Sequence, residues 1–359
     1  MSGLRARVFQ HGLATALWRR LPEEAKVKLR PVLGLPEMVA AAEPAADPET
    51  APQPVKPFQE VDTLEEMLER IEAVRSRAPG APQDTYYDLT TLHLKPPPEA
   101  LRMRELDPFS PEYSELAMEL MDRLRGRGGY TPGHDELIHH TMQDRDLWSG
   151  LSPFDYRDPV LVAEFFDCYA SMLRQIGAPP PASVLEYGPG TGQFLITLAR
   201  LGYRCHAVDI EQEYLTLIQR QAETMGLSIA CDRDVFGEGF GDERFDAIIF
   251  FEAFHHCPDM PGLLSRLRDR VAPGGRIILC GEPLIPDGMT DGPVPYAWGP
   301  RLDALSIESI RRGWMELGFQ YSYLIEAFHR TGWAPSYFPH QTYRSHMIVA
   351  SRHPDWTPP

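Results

Sequence analysis

From Ser183 onward, short apolar runs alternate with helix-like segments, and no other feature constrains the fold as strongly. The runs are SVLEYG, YRCHAVDI, LSIACD, FDAIIFF, GRIILCGEP, FQYSYLI and HMIVASR. Between them lie GQFLITLARLG, EQEYLTLIQRQAETMG and MPGLLSRLRDRVAPGG, all with helical spacing of apolar residues. Strand–helix alternation of this kind predicts an α/β fold, a doubly wound, mostly parallel seven-stranded sheet with helices on both faces. No helical segment separates FQYSYLI from HMIVASR, so the last two strands are expected to pair antiparallel at one edge. Ligands of such a sheet bind beyond the carboxyl ends of its strands.

The remainder of the 359 residues divides by composition. Residues 1–38 carry Arg5, Arg7, Arg19, Arg20, Lys26, Lys28 and Arg30 among apolar residues such as Phe9, Leu13 and Trp18, a basic amphipathic pattern. It suits a helix on a membrane surface, on a partner or on its own protein. Residues 39–60 form an Ala/Pro-rich linker, and residues 61–159 a helical accessory region placed as a cap. There Asp62 or Thr63 caps a helix in VDTLEEMLERIEAVRSR, and Pro-rich LKPPPEA breaks the pattern before SPEYSELAMELMDRLRGRGG. The sheet domain spans 160–352. A net charge of -16 argues against a nucleic-acid partner. Cys168, Cys205, Cys231, Cys257 and Cys280 form no CxxC pair and read as free, mostly buried thiols. With no signal peptide and no run long enough to span a bilayer, a cytoplasmic location is expected.

The first run ends in EYGPGTGQF, with glycines at 188, 190 and 192. A dinucleotide turn needs G-x-G-x-x-G, and a phosphate loop needs Gly-Lys-Ser/Thr; this turn has neither pattern and no basic residue. Glu186 instead places a carboxylate at its mouth, which repels phosphate and suits a cation. Asp209 ends the second run, where an acid can hold both hydroxyls of a ribose, and Asp234 follows the third, where it can accept from an adenine amine.

Together EYGPGTGQF, AVDI, DVFGEGFGDERFDAII, FEAFHHCPD and VAPGGRIIL resemble the class I S-adenosylmethionine-dependent methyltransferases over residues 160–350, in that family's order. The resemblance implies a Rossmann-like methyltransferase fold and S-adenosyl-L-methionine as cofactor; no metal is expected at His255-His256-Cys257, because adjacent histidines point in different directions. It places Glu186, Gly188, Gly190 and Gly192 at the methionine part and Asp209, with Ile210 beside it, at the ribose. Asp234 and Val235 fall at the adenine, with Phe251 in the same cofactor set. Asp234 is preferred to Asp232 because its distance to Phe245-Asp246 fits the family's loop better.

An oxygen acceptor must lose its proton, and FFEAFHHCPD offers Glu252, His255 and His256 for that work just beyond the fourth run. Two further segments are substrate-facing candidates. One is the long loop with Glu282, Tyr296, Trp298 and Arg301; the other, between the last two expected strands, carries His329, Arg330, Trp333 and Tyr337. Their aromatics suit either a polar ring such as a sugar or plain packing. In TPGHDELIHH, His134, Asp135, Glu136, His139 and His140 can reach the active site or bind a metal, although an ordinary helical ion pair accounts for Asp135 with His139. These features favour methyl transfer to a polar small molecule or glycan, with a non-catalytic partner protein of the same fold as the alternative.

Overall fold

Thr63 is extended (φ -131°, ψ 154°) and its hydroxyl accepts from Glu66 N at 3.1 Å. That cap turns the chain from strand β1 (Gln59–Val61) into helix α1 (Leu64–Arg75). The computed structural model describes residues 58–77, 88–137, 159–340 and 345–357. The basic segment 1–38, the linker up to residue 57, His139 and His140 lie outside them. Strand β2 (Leu92–Leu94) pairs parallel with β1. Helix α2 (Pro98–Met103) begins right after the prolines that break the pattern. Helix α3 (Pro111–Arg125) is capped by Ser110 and ended by Gly126 at φ 75°.

Helix α4 (Pro159–Gln175) leads into the main sheet, built from β3 (Ser183–Tyr187), β4 (Arg204–Asp209), β5 (Ile229–Arg233), β6 (Phe245–Phe251) and β7 (Val271–Cys280). Helices α5 (Gln193–Arg200), α6 (Gln212–Thr224) and α7 (Met260–Arg270) form the crossovers. Beyond β7 come β8 (Leu284–Ile285), β9 (Trp298–Pro300), α8 (Ala304–Arg312), β10 (Leu317–Gln320), α9 (Tyr321–Arg330), β11 (Trp333–Phe338) and β12 (Met347–Arg352). The seven-stranded sheet has the order β11-β12-β7-β6-β3-β4-β5, with β12 antiparallel to both of its neighbours and the other pairs parallel. Strand order reverses between β3 and its neighbours, so the glycine turn after β3 opens at the switch point.

One expected strand is wrong. FQYSYLI is not in the main sheet: Phe319 and Gln320 belong to β10, and Tyr321 starts α9. Its buried residues, Tyr323, Leu324, Ala327 and Phe328, recur at helical spacing, which overrides the aromatic bias toward strand. The sixth strand of the sheet is β11, inside the segment expected to be a loop. The antiparallel edge is present with that different strand.

β8, β10 and β9 form a separate three-stranded sheet, and this inserted segment packs on the front of the chain. Tyr113 Oη of α3 donates to Trp298 O at 2.7 Å and accepts from Trp298 N at 3.0 Å. Trp298 Nε1 donates to Pro108 O at 2.9 Å, Arg311 Nη1 to Arg125 O at 3.1 Å, and Arg75 pairs with Glu308. Residues 58–77 and 88–137 therefore pack with residues 284–320 as one cap drawn from distant parts of the sequence. Burying Tyr113 and Trp298 contributes on the order of 4–6 kcal/mol each. All five cysteines are free, four of them buried. Among the described residues no helix is long and apolar enough to cross a membrane.

Candidate active site

The glycine turn is set by its surroundings. Gly188 N donates to Val208 O and Gly192 N to Pro189 O, both at 2.9 Å. At Gly192 φ is 74°, and an added Cβ would lie 2.4 Å from Ile218 Cγ1, so packing demands glycine there. At Gly190 φ is 52° and an added Cβ would meet nothing within 4 Å, which leaves the middle of the turn open to a ligand. Gln193 Nε2 donates to Gln221 Oε1 at 2.8 Å, and Gln221 Nε2 to Thr191 O at 2.9 Å, bracing the turn from α6.

Two carboxylates face this opening. Glu186 is 2% exposed, and its Oε2 is buried without a hydrogen-bond partner. Burial, with Asp209 nearby, pushes its carboxyl up to about 8. Asp209 Oδ1 accepts from Glu211 N at 2.8 Å. Burial pushes Asp209 up to about 7, aided by the Glu211 charge and opposed by backbone N–H donors and by His256. A buried, unpartnered carboxylate is costly until it meets a cation or donor. A cationic nucleoside with a ribose supplies both, so the residues fit an S-adenosylmethionine-type ligand.

The two acids of the third strand divide their work. Asp232 Oδ2 accepts from Phe240 N at 2.8 Å and ties down the following loop, whose Gly239 and Gly241 carbonyls also receive Arg270. Asp234 Oδ1 accepts from the adjacent Val235 N at 2.9 Å, and Val235 is 40% exposed. Ile210 follows Asp209 directly, and Phe251 ends β6 against Phe165 and Tyr169 of α4.

Beyond β6 the chain turns sharply. Glu252 takes φ 49°, a conformation that costs a non-glycine residue about 1–3 kcal/mol and clusters at functional sites. Phe254–His256 then form one tight helical turn. The buried Glu282 carboxylate accepts from Ala253 N, Phe254 N and His255 N at 3.0–3.1 Å, and lies 2.8 Å from His255 Nδ1. His255 Nε2 is 3.7 Å from Glu316 Oε2, which is itself 3.9 Å from Arg301 Nη1. The His255 and His256 rings lie side by side with centroids 4.4 Å apart.

His256 Nδ1 is 3.1 Å from Glu136 Oε2, an ion-pair separation without hydrogen-bond alignment. Burial pulls the His256 imidazole down, but Glu136, Glu316 and Glu282 outweigh it and raise it to about 9. Glu136 Oε1 accepts from Tyr130 Oη and Met315 N, both at 2.6 Å, so it joins both stretches of the cap to the histidine turn.

Several substrate-facing candidates are structural. Tyr296 and Trp298 are each 2% exposed, their polar atoms engaged by Pro300 O and Pro108 O. Trp333 is buried in β11 and donates to Leu264 O at 2.9 Å, while Arg330 stacks 3.9 Å over Phe109. Asp135 pairs with Arg125 and Arg127 at 2.6 and 2.8 Å. Glu316 was missed altogether, and nothing in its local pattern, WMELGF, marks it.

A family model described as a methyltransferase domain matches residues 164–334. Over 176 residues the chain is 33% identical to the protein-L-isoaspartate O-methyltransferase of Chlorobium limicola, covering 46% of this chain and 78% of that one. Over 143 residues it is 32% identical to the ubiquinone biosynthesis O-methyltransferase of Methylocella silvestris, covering 36% of this chain and 56% of that one, little more than half its length. Among solved structures, magnesium protoporphyrin IX methyltransferase from Synechocystis aligns with a TM-score of 0.42 at 17% identity, over 58% of this chain and 91% of that one. The glycine turn, its paired carboxylates, the family model and the Chlorobium relative lead to one conclusion: the chain belongs to the class I S-adenosylmethionine-dependent methyltransferases, with S-adenosyl-L-methionine as methyl donor.

Proposed function

We propose that the chain methylates an oxygen of a small polar acceptor held between the sheet and the cap. The observation that carries this reading is the 2.8 Å approach of His255 Nδ1 to the buried Glu282 carboxylate. With Nδ1–H donated to Glu282, Nε2 keeps its lone pair and faces the space under Glu316. Two relatives are named as O-methyltransferases, which supports oxygen as the acceptor atom. Glu316 suits a hydroxylated acceptor, sugars included, since a carboxylate accepts from hydroxyls. The loop aromatics lend the sugar reading nothing, because Tyr296 and Trp298 are packed inside the cap.

Bound S-adenosyl-L-methionine supplies a methyl carbon made electrophilic by its sulfonium. Glu186 balances the positive charge of the methionine part, beside Gly188, Gly190 and Gly192. Asp209 holds the ribose with Ile210 alongside; Asp234 and Val235 hold the adenine, and Phe251 closes the donor pocket. His255 Nε2 takes the acceptor hydroxyl's proton as the new C–O bond forms. His256 is kept charged by Glu136 and so orients its neighbour instead of acting as the base. Glu252 shapes the strained turn that presents both rings.

The test uses methyl-labelled donor and a metabolite extract. Wild type transfers label to a small product. His255→Ala lowers the rate by about 10²–10⁴-fold while S-adenosylhomocysteine affinity holds. Undiminished transfer in that variant would sink the assignment.

A further inference from the structure

We propose that His255, His256 and Glu316 form a binding site for one first-row divalent cation of the zinc, cobalt or manganese class. The inference rests on the reading above, that the acceptor hydroxyl is activated at this turn. Each of the three residues offers one donor atom, and the three atoms lie within 4.8 Å of one another. The one pair fixed by distance, His255 Nε2 and Glu316 Oε2, is 3.7 Å apart. Ligands at about 2.0–2.2 Å from a common ion are themselves about 3.0–3.5 Å apart, so small side-chain rotations bring this set around one ion.

A second observation is independent of that spacing. Each imidazole already has a carboxylate at its Nδ1: Glu282 at 2.8 Å for His255 and Glu136 at 3.1 Å for His256. Outer carboxylates raise the basicity of metal-ligating histidines, and the hydrogen-bonded one, Glu282, also fixes the tautomer of His255. The local charge adds to the case. Glu136, Glu282 and Glu316 outnumber the cations that face them among the described residues, since His256 is paired with Glu136 and Arg301, near Glu316, is bonded to Asp303 at 3.0 Å. A dication offsets most of that excess.

Two imidazoles and one carboxylate favour borderline first-row ions over magnesium or calcium, which prefer all-oxygen sets. Three protein ligands leave positions open for the acceptor oxygen. With the cation in place, His255 Nε2 is a ligand instead of a proton acceptor. The metal-held hydroxyl then loses its proton to solvent more readily. The C–O bond forms as the C–S bond breaks, its electron pair staying on sulfur.

The test is direct binding by untagged, chelator-treated full-length protein. Zn²⁺ is followed by calorimetry and Co²⁺ by its visible absorption. Wild type is expected to bind one equivalent per chain. Glu316→Gln and His256→Ala should each weaken binding by about 10–100-fold, with S-adenosylhomocysteine binding unchanged as the control for folding. Absence of stoichiometric binding by wild type, or binding untouched by both substitutions, overturns the site. If the protein binds S-adenosylhomocysteine but no cation, the cation site falls and the methyl-transfer reading stands. The opposite pattern brings down the methyl-transfer reading and leaves the cation site standing.

Discussion

The donor side and the acceptor side of this molecule are built on opposite principles. The donor side comes from one stretch, Glu186 to Phe251, and its key carboxylate, Glu186, is buried with one oxygen unpartnered. The acceptor side draws on four separate stretches, and its carboxylates Glu136, Glu282 and Glu316 all sit within reach of a histidine. The first arrangement is incomplete until a ligand arrives. The second sets each of its carboxylates beside an imidazole and so holds two rings in place, with His256 Nδ1 facing Glu136 at an ion-pair distance. One side is therefore shaped for affinity, the other for orientation.

If the two sides are as separable as this contrast implies, damage to the cap should leave the donor pocket working. Trp298→Ala removes the cap's central aromatic and should cost about 3–5 kcal/mol in denaturant unfolding. S-adenosylhomocysteine affinity, read by calorimetry on the folded fraction, should persist; its loss would break the contrast. Asp209→Ala should do the reverse. It removes two charged hydrogen bonds of about 1.5–3 kcal/mol each, so affinity falls at least about 100-fold with the cap intact by proteolysis.

A pH series sharpens the donor side further. Below about 7 for Asp209 and about 8 for Glu186 these carboxyls are protonated in the free protein, yet a cationic ligand needs them ionised. Affinity should therefore rise with pH through that window, with proton release detectable in buffers of different ionisation enthalpy. Stability runs the other way. A carboxyl whose folded pKa is raised binds more protons folded than unfolded, so unliganded stability falls as pH climbs from Glu186's unfolded value near 4.5 to about 8. Glu186→Gln should flatten both profiles. The smallest effect is expected at the cap surface, where Arg75→Ala breaks the pair with Glu308 and should cost no more than about 1 kcal/mol.

How much could be read from residues alone follows the same division. The glycine turn, Asp209 and six of the seven sheet strands were legible because each signal is local: apolar runs, a turn, an acid at a strand end. FQYSYLI misled because aromatics favour strands wherever neighbours are ignored, whereas its own buried face recurs at helical spacing. Glu282 was visible only as a loop acid, and its role as the clamp of the histidine turn depends on a fold that brings residues 253–255 to it. Glu316 carries no local mark, since its meaning comes only from lying 3.7 Å from His255. The paired histidines looked divergent as sequence neighbours, yet the tight turn lays their rings side by side.

The two-piece cap also has a consequence for how the chain comes into being. The apolar face of α3, with Tyr113, Leu116 and Leu120, finds its partners in β9 and α8, roughly 190 residues later. At a synthesis rate of about 5–20 residues per second, that face waits roughly ten to forty seconds on the ribosome before its partners emerge. Strands β3 to β7 lie close together in sequence and can pair before the cap's second stretch emerges, which gives the cap a platform on which to close. A nascent chain arrested before residue 300 should thus expose a sticky helix and call on chaperones, while the released full-length chain should not.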